Sequence, residues 1–331
     1  MKQTIFSLLF LATFSVANAA NPYDNPDTLF VGRDGTCEFR NIDDAIEVCR
    51  AFMDYHKVIF VKKGTYKEKL VIPAWVTNIE ICGEDRDKTT ITYDDHANIR
   101  IPGTERPMGT FRTYTLKIEA NDFTLKNITV ENNAARLGQA VALHTEGTRI
   151  CFINCRFLGN QDTIYTGGSE TSLFFSDCFI EGTTDFIFGP STAWFENCTI
   201  MNKTNSYVTA ASTPKDIKFG YIFNHCNIIA AEGQHLQCYL GRPWRPYAYT
   251  LFMNCILGSH IRPVGWHNWG NKDNEQTSRY LEYNNTTPDG KPVDVTQRVP
   301  WSRQLTKKEA SQITLEAVFG KDHSWIADAC Q

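Results

Sequence analysis

A short motif recurs down this chain and limits what it can fold into. It reads Leu125-Lys-Asn-Ile128, Phe152-Ile-Asn-Cys155, Phe175-Ser-Asp-Cys178, Phe195-Glu-Asn-Cys198, Phe223-Asn-His-Cys226 and Phe252-Met-Asn-Cys255. From Cys155 onward the motif cysteines are 23, 20, 28 and 29 residues apart. Each unit is rich in Phe, Ile, Thr and Tyr and is broken by Gly or Asn, the pattern of short strands and turns. Self-similarity at this period means coils stacked on one another. No long helical pattern separates the units, which argues against leucine-rich repeats and doubly wound α/β folds. The expectation is an all-β fold, a right-handed parallel β-helix, in which the motif cysteines form an inward column.

Most of those cysteines read as small core hydrophobes. Vertical neighbours are also close enough to bridge, and geometry alone permits Cys155–Cys178, Cys178–Cys198 or Cys198–Cys226. Asn41 precedes an apolar stripe at helical spacing, Ile42, Ala45, Ile46, Cys49 and Met53. It is expected to cap a helix that plugs the open end of the coil, with Asp43 and Asp44 in its first turn. From about Thr306 a short helical pattern with Trp325 should pack on the outside as a C-terminal tail.

The chain starts Met1-Lys2-Gln3, continues apolar from Ile5 to Val16 and then reads Ala17-Asn-Ala-Ala20. That is the pattern of a secretory signal peptide, expected over residues 1–19, with one domain over 20–331. A secreted protein without a membrane anchor follows, and with it an oxidising compartment for the 11 cysteines. The odd count leaves at least one thiol free unless it pairs between chains. The formal charge of −4 disfavours a nucleic-acid surface. A monomer is expected. Sequons stand at Asn127, Asn197, Asn202, Asn284 and Asn285, marking a glycoprotein if the host modifies them.

Two aspartates sit at matching positions, Asp162 seven residues after Cys155 and Asp185 seven after Cys178. Stacked coils bring them one strand spacing apart, roughly 5 Å. Like charges that close raise each other's pKa, an arrangement found where carboxylates do chemistry. Polar residues gather around them: Gln139 one coil earlier, Gln161 beside Asp162, and Arg242 and Trp244 in Leu240-Gly-Arg-Pro-Trp. Gln161 and Asp162 serve one site only if the chain turns or bulges between them, because neighbours in a strand face opposite sides. Tyr165, Phe186, Trp266 and Trp269 are aromatic candidates for lining a groove.

These segments together resemble pectin methylesterases. The resemblance runs through Asp34-Gly-Thr-Cys-Glu-Phe39, Gly64-Thr-Tyr-Lys-Glu68, Thr110-Phe-Arg-Thr, Gln139-Ala-Val-Ala-Leu, Gly159-Asn-Gln-Asp-Thr, Asp185-Phe-Ile-Phe-Gly, Leu240-Gly-Arg-Pro-Trp and Arg298-Val-Pro-Trp301. It implies hydrolysis of galacturonate methyl esters in pectin, releasing methanol. It further implies Asp185 as nucleophile, Asp162 as general acid/base, and Gln139 and Gln161 on the oxyanion. By the same resemblance Arg242 orients Asp185, Trp244 stacks on sugar and Thr110 contacts substrate. It also implies a Cys178–Cys198 disulfide and a reaction without metal or cofactor.

Other chemistries fit less well. Gly189-Pro-Ser191-Thr-Ala193 misses the nucleophile elbow of serine hydrolases at its last position, and the eight histidines show no metal-ligand spacing. A glycoside hydrolase is the alternative, since close carboxylates also suit retaining hydrolysis. The β-helix polygalacturonase motifs Asn-Thr-Asp, Gly-His-Gly and Arg-Ile-Lys are absent. A non-catalytic β-helix that only binds pectin remains as the second alternative; it would predict loss of the aspartates, the glutamines or Arg242, and all are kept.

Overall fold

The computed structural model describes residues 21–233 and 235–330; the segment expected to be a signal peptide lies outside the described residues. Three parallel sheets of 11, 8 and 7 strands wind into a right-handed β-helix, most coils giving one strand to each. In the first sheet Phe152, Phe175, Phe195, Phe223 and Phe252 occupy one rung. Their rings stack at 4.4, 4.5, 4.5 and 4.4 Å. That is close to the spacing of strands, so unbroken register lets each phenylalanine lie on its copy.

The motif's third residue turns the corner. Asn127, Asn154, Asp177, Asn197, His225, Asn254 and Asn284 all have φ between 50° and 55°. Asn, Asp and His tolerate this left-handed region better than other side chains, which explains why the position varies only among them. The asparagines also bond along the stack, Asn154 Nδ2 to Asn127 Oδ1 at 2.8 Å and Asn284 Nδ2 to Asn254 Oδ1 at 3.0 Å. Reading the sequence for apolar periodicity overlooks this ladder.

The cysteine column forms as expected, with Cys155, Cys178, Cys198, Cys226 and Cys255 all buried. The Cys178–Cys198 bridge does not form; both are free thiols. Each donates to a carbonyl on the preceding coil, Cys178 Sγ to Phe152 O at 3.4 Å and Cys198 Sγ to Phe175 O at 3.7 Å. In-register stacking holds Cβ atoms a strand spacing of about 4.8 Å apart, wider than the mean of about 3.8 Å across a disulfide. Two of the sequons are also closed, because Asn202 and Asn285 are buried and Asn285 Nδ2 donates to Phe252 O at 3.1 Å.

The helix Ile42–Glu47 seals the N-terminal end, burying Ile42, Ala45 and Ile46 in the main core. Asn41 makes no side-chain cap. Glu68 does that work from a neighbouring coil, accepting from the Ile42 and Asp43 amides at 2.9 and 3.1 Å. A carboxylate there meets both the orphan amides and the helix dipole, so Asn41 is free to bond Asp44 instead. The C-terminal helices Lys307–Ala310, Leu315–Phe319 and Ser324–Ala329 pack outside the first sheet as expected, with Ile326 and Ala329 against Cys151, Phe174 and Trp194. Among the described residues no helix is long and apolar enough to cross a membrane.

Candidate active site

The polar residues flagged in the sequence converge on the edge of the seven-stranded sheet. Its strands Leu143–Thr145, Ile164–Thr166, Ile187–Gly189, Tyr207–Ala211 and Tyr239–Gly241 run side by side. Leu143, Ile164, Ile187 and Thr209 share one rung. Asp162 and Asp185 each stand two residues before that rung, so stacking makes them neighbours. Main-chain bonds continue the register, from Asp162 N to Thr184 O at 3.1 Å and from Asp185 N to Tyr207 O at 3.0 Å.

Both aspartates adopt left-handed backbone, with φ of 67° at Asp162 and 52° at Asp185. The turn required between Gln161 and Asp162 is therefore present. At Asp185 the same corner sends Phe186 inward, fully buried in the main core, so Phe186 is not a groove residue. Ile187 also lies in the core, so alternation along the strand Ile187–Gly189 brings Phe188 outward into the pocket that Phe186 was expected to line.

The pocket encloses about 260 Å³ and is lined by Thr110, Phe111, Gln139, Gln161, Asp162, Asp185, Phe188, Ala210, Arg242, Trp244 and Trp269. A larger hollow of about 550 Å³ over Arg86, Asn154, Arg156 and Asn197 sits on the asparagine turns, where Asp87 pairs with Arg156 and Asp177 accepts from Asn197. Thr110 enters from a single 3₁₀ turn, Thr110–Arg112. Gln139 and Gln161 lie on adjacent coils, joined by Ala140 N donating to Gln161 O at 3.1 Å.

Arg242 grips Asp185 with two parallel bonds, Nε to Oδ1 at 2.9 Å and Nη2 to Oδ2 at 2.6 Å. Such a fork fixes the carboxylate plane as well as its charge. The guanidinium is itself clamped, its Cζ 4.0 Å from the Tyr207 ring and 3.7 Å from the Trp269 ring. Trp269 thus belongs to the site, although its clearest contact is with Arg242. Trp266 does not: it is buried, stacked on Tyr280 at 4.2 Å, and its indole N–H donates to Glu282 at 3.3 Å. Tyr165 flanks the pocket, packed on Phe111 at 4.8 Å and Phe188 at 5.0 Å.

The environments of the two aspartates differ. Burial raises Asp162 well above its ordinary value, and the Asp185 charge pushes it further up, with Arg242 a weaker opposing influence. Burial raises Asp185 too, but there both the hydrogen bonds and the charge of Arg242 pull back down. Asp162 therefore holds its proton more tightly, and Asp185 is the more readily ionised of the two.

Phe111, Phe188, Ala210 and Tyr207 are site residues that the sequence reading missed. Phe111 was adjacent to Thr110 in a quoted motif, and Tyr207 follows from register, being the residue stacked on Asp185. Phe188 required knowing which way the corner turns.

The comparisons with known proteins agree along nearly the full chain. The Pectinesterase family model matches residues 28–322. Pectinesterase 31 of Arabidopsis thaliana is 36% identical over 307 residues, covering 89% of this chain and 94% of its own. A probable pectinesterase/pectinesterase inhibitor of Brassica napus is 32% identical over 91% of this chain, which spans only 52% of that longer relative. Among solved structures, pectin methylesterase from carrot superposes with TM-score 0.84 at 28% identity, covering 93% of this chain and 97% of that one. PemA from Erwinia chrysanthemi does so with TM-score 0.78 at 29% identity, covering 88% and 97%. The chain belongs to the pectinesterase family of carboxylic ester hydrolases.

Proposed function

We propose that Asp185 and Asp162 carry out the hydrolysis of galacturonate methyl esters in pectin at this pocket. A solved relative is described as a pectin methylesterase in complex with a hexasaccharide, in keeping with a polymeric sugar substrate. The observation that carries the division of labour is the Arg242 fork on Asp185 alone.

Asp185, ionised, attacks the ester carbonyl carbon and forms a tetrahedral intermediate. The carboxamide N–H groups of Gln139 and Gln161 donate to its oxyanion, and being uncharged they neither titrate nor compete for the nucleophile. Collapse breaks the carbonyl–methoxy bond, and Asp162 gives its proton to the departing oxygen, releasing methanol. The galacturonyl group is left as a mixed anhydride with Asp185. Asp162, now a carboxylate, takes a proton from water, which attacks the anhydride. The products are ionised Asp185, reprotonated Asp162 and galacturonic acid, which loses its own proton to solvent. No step requires a metal or cofactor.

Thr110, Phe111, Trp244 and Tyr165 border the place where sugar rings lie, and stacking on the three aromatic faces positions the ester. The substrate is an extracellular polymer, and the chain acts there as a secreted monomer. Methanol release from highly methylated pectin, without new reducing ends, is the expected result. Reducing ends without methanol would replace this reading with glycoside hydrolysis.

A further inference from the structure

We infer that the buried ion pair Glu282–Arg298 is a positioning device for Arg242, holding in place from behind the arginine that grips Asp185. The inference rests on the reading of Asp185 as nucleophile and extends it to how the arginine fork keeps its aim.

The phenylalanine ladder of the first sheet ends in a carboxylate. Phe252 pairs with Glu282 on the strand Arg279–Tyr283, so Glu282 takes the inward place that a further phenylalanine would fill. Arg298, buried like Glu282, forks onto it with Nε to Oε1 at 2.8 Å and Nη2 to Oε2 at 3.0 Å. Trp266 Nε1 donates to the same Oε1 at 3.3 Å. Desolvating two charges offsets most of what their attraction gains, and apolar side chains of like size commonly serve stability as well or better. Stability alone therefore does not account for a carboxylate at the end of this ladder.

Arg298 reaches past Glu282 to a single turn. Its Nη1 donates to Pro263 O at 2.8 Å and to Arg262 O at 3.3 Å. Gly265 N closes the turn onto Arg262 O at 2.8 Å, with Gly265 at φ 73°. A Cβ on Gly265 would fall 2.6 Å from Arg298 Cδ, so the turn lies directly against the arginine stem.

That turn backs the strand that carries Arg242. Tyr239–Gly241 is the last strand of the seven-stranded sheet, and Arg242 follows it directly. On its open side Leu240 N donates to Gly265 O at 2.8 Å and His267 N to Gly241 O at 3.1 Å. Two residues on, the same segment presents Trp269 to the guanidinium, whose Cζ lies 3.7 Å from that ring. One short segment, residues 262–269, thus holds Arg242 at its backbone and at its head group. Glu282 and Arg298 hold that segment, and neither lines the pocket.

The test uses the intact enzyme and highly methylated pectin, with methanol release followed across pH. The acid limb of kcat/KM reports ionisation of the nucleophile in the free enzyme. Arg242 faces Asp185 and His267, and Asp185 also acts on Asp162 and on the buried Tyr280. Glu282→Gln/Arg298→Met removes both charges together, so no unpaired ion is left buried. The double variant is expected to melt within a few degrees of wild type and to lose about 10- to 100-fold in kcat as the fork loosens. Its acid limb should move up by about 0.5–1 pH unit, because a guanidinium held less closely lowers the Asp185 pKa less. An acid limb that stays in place overturns the inference, whether or not kcat falls. A double variant that does not fold overturns it too, since the pair would then serve the core. Arg242→Lys tests the reading beneath: it should move the limb at least as far, and an unmoved limb there would overturn the assignment of Asp185 and Arg242 itself.

Discussion

Along the first sheet one rung reads Phe152, Phe175, Phe195, Phe223, Phe252. Along the third an outward rung reads Lys117, His144, Tyr165, Phe188, Ala210. Both are equally in register, and the backbone repeats as faithfully in one as in the other. The inner rung repeats its side chains because each ring's neighbours above and below are copies of itself. The outer rung faces the pocket and the varied side chains around it, so nothing forces one coil to match the next. Asp162 and Asp185 are the exception, a residue repeated once on the outer edge of the sheet, and there repetition serves chemistry. A change on the inner rung should cost stability and spare catalysis; a change at the aspartates should do the reverse.

The largest effect is expected at Asp185. Asp185→Asn removes the nucleophile and should lower kcat for methanol release by on the order of 10⁴-fold or more. Its Tm should stay within a few degrees of wild type. Activity within tenfold of wild type would take the nucleophile away from Asp185.

Asp162→Asn sharpens the contrast, since it should trade activity for stability. Loss of the general acid should cost about 10²- to 10⁴-fold in kcat. Burial and Asp185 raise the folded-state pKa of Asp162 above its unfolded value. The stability this group contributes is therefore present below the unfolded pKa and lost as pH rises through the folded one. At neutral pH wild type carries that loss and the variant does not. Its Tm should exceed that of wild type by about 2–4 °C at pH 7, with the gap closing near pH 3. A variant less stable at pH 7 would mean that the Asp162 carboxylate is held by favourable contacts.

Phe195→Ala tests the inner rung. Phe195 is fully buried between Phe175 and Phe223. Truncation should cost about 3–5 kcal/mol, read by chemical denaturation. Assayed where it is folded, the variant should retain wild-type kcat. A loss of kcat without a loss of stability would mean that the two rungs are coupled.

The sequence made the inner rung legible because its signal is identity at a fixed period, which needs no knowledge of direction. The site was legible for another reason: Gln139, Gln161, Asp162, Asp185 and Arg242 sit in distinctive short motifs, and register brings them together. Where the chain turns a corner, that logic failed. Phe186 and Trp266 looked like groove aromatics but point inward, because strand alternation restarts after a left-handed residue and the restart fixes the face. The helix cap failed similarly. Asn41 is a good local cap by type, yet Glu68 arrives from a coil more than twenty residues later, a contact that no local window contains.

The cysteine column gives the smallest effect and the closest test of what repetition does inside. A Cys178–Cys198 bridge would close a loop of 20 residues and contribute about 3 kcal/mol by restricting the unfolded chain. The free thiols instead contribute as small buried hydrophobes, each donating to the coil before it. Cys178→Ala and Cys198→Ala should then each cost about 1 kcal/mol, by the loss of a small buried group. They are contacting neighbours, so the two losses need not add, but the double variant should still cost clearly more than either single one. A bridge would give a different pattern, because removing either partner removes all of it, and the second substitution would add almost nothing. Reductant supplies the same discrimination without mutation. Wild-type Tm should be unchanged by dithiothreitol, and a fall of several degrees would restore the disulfide and show that the column closes in pairs.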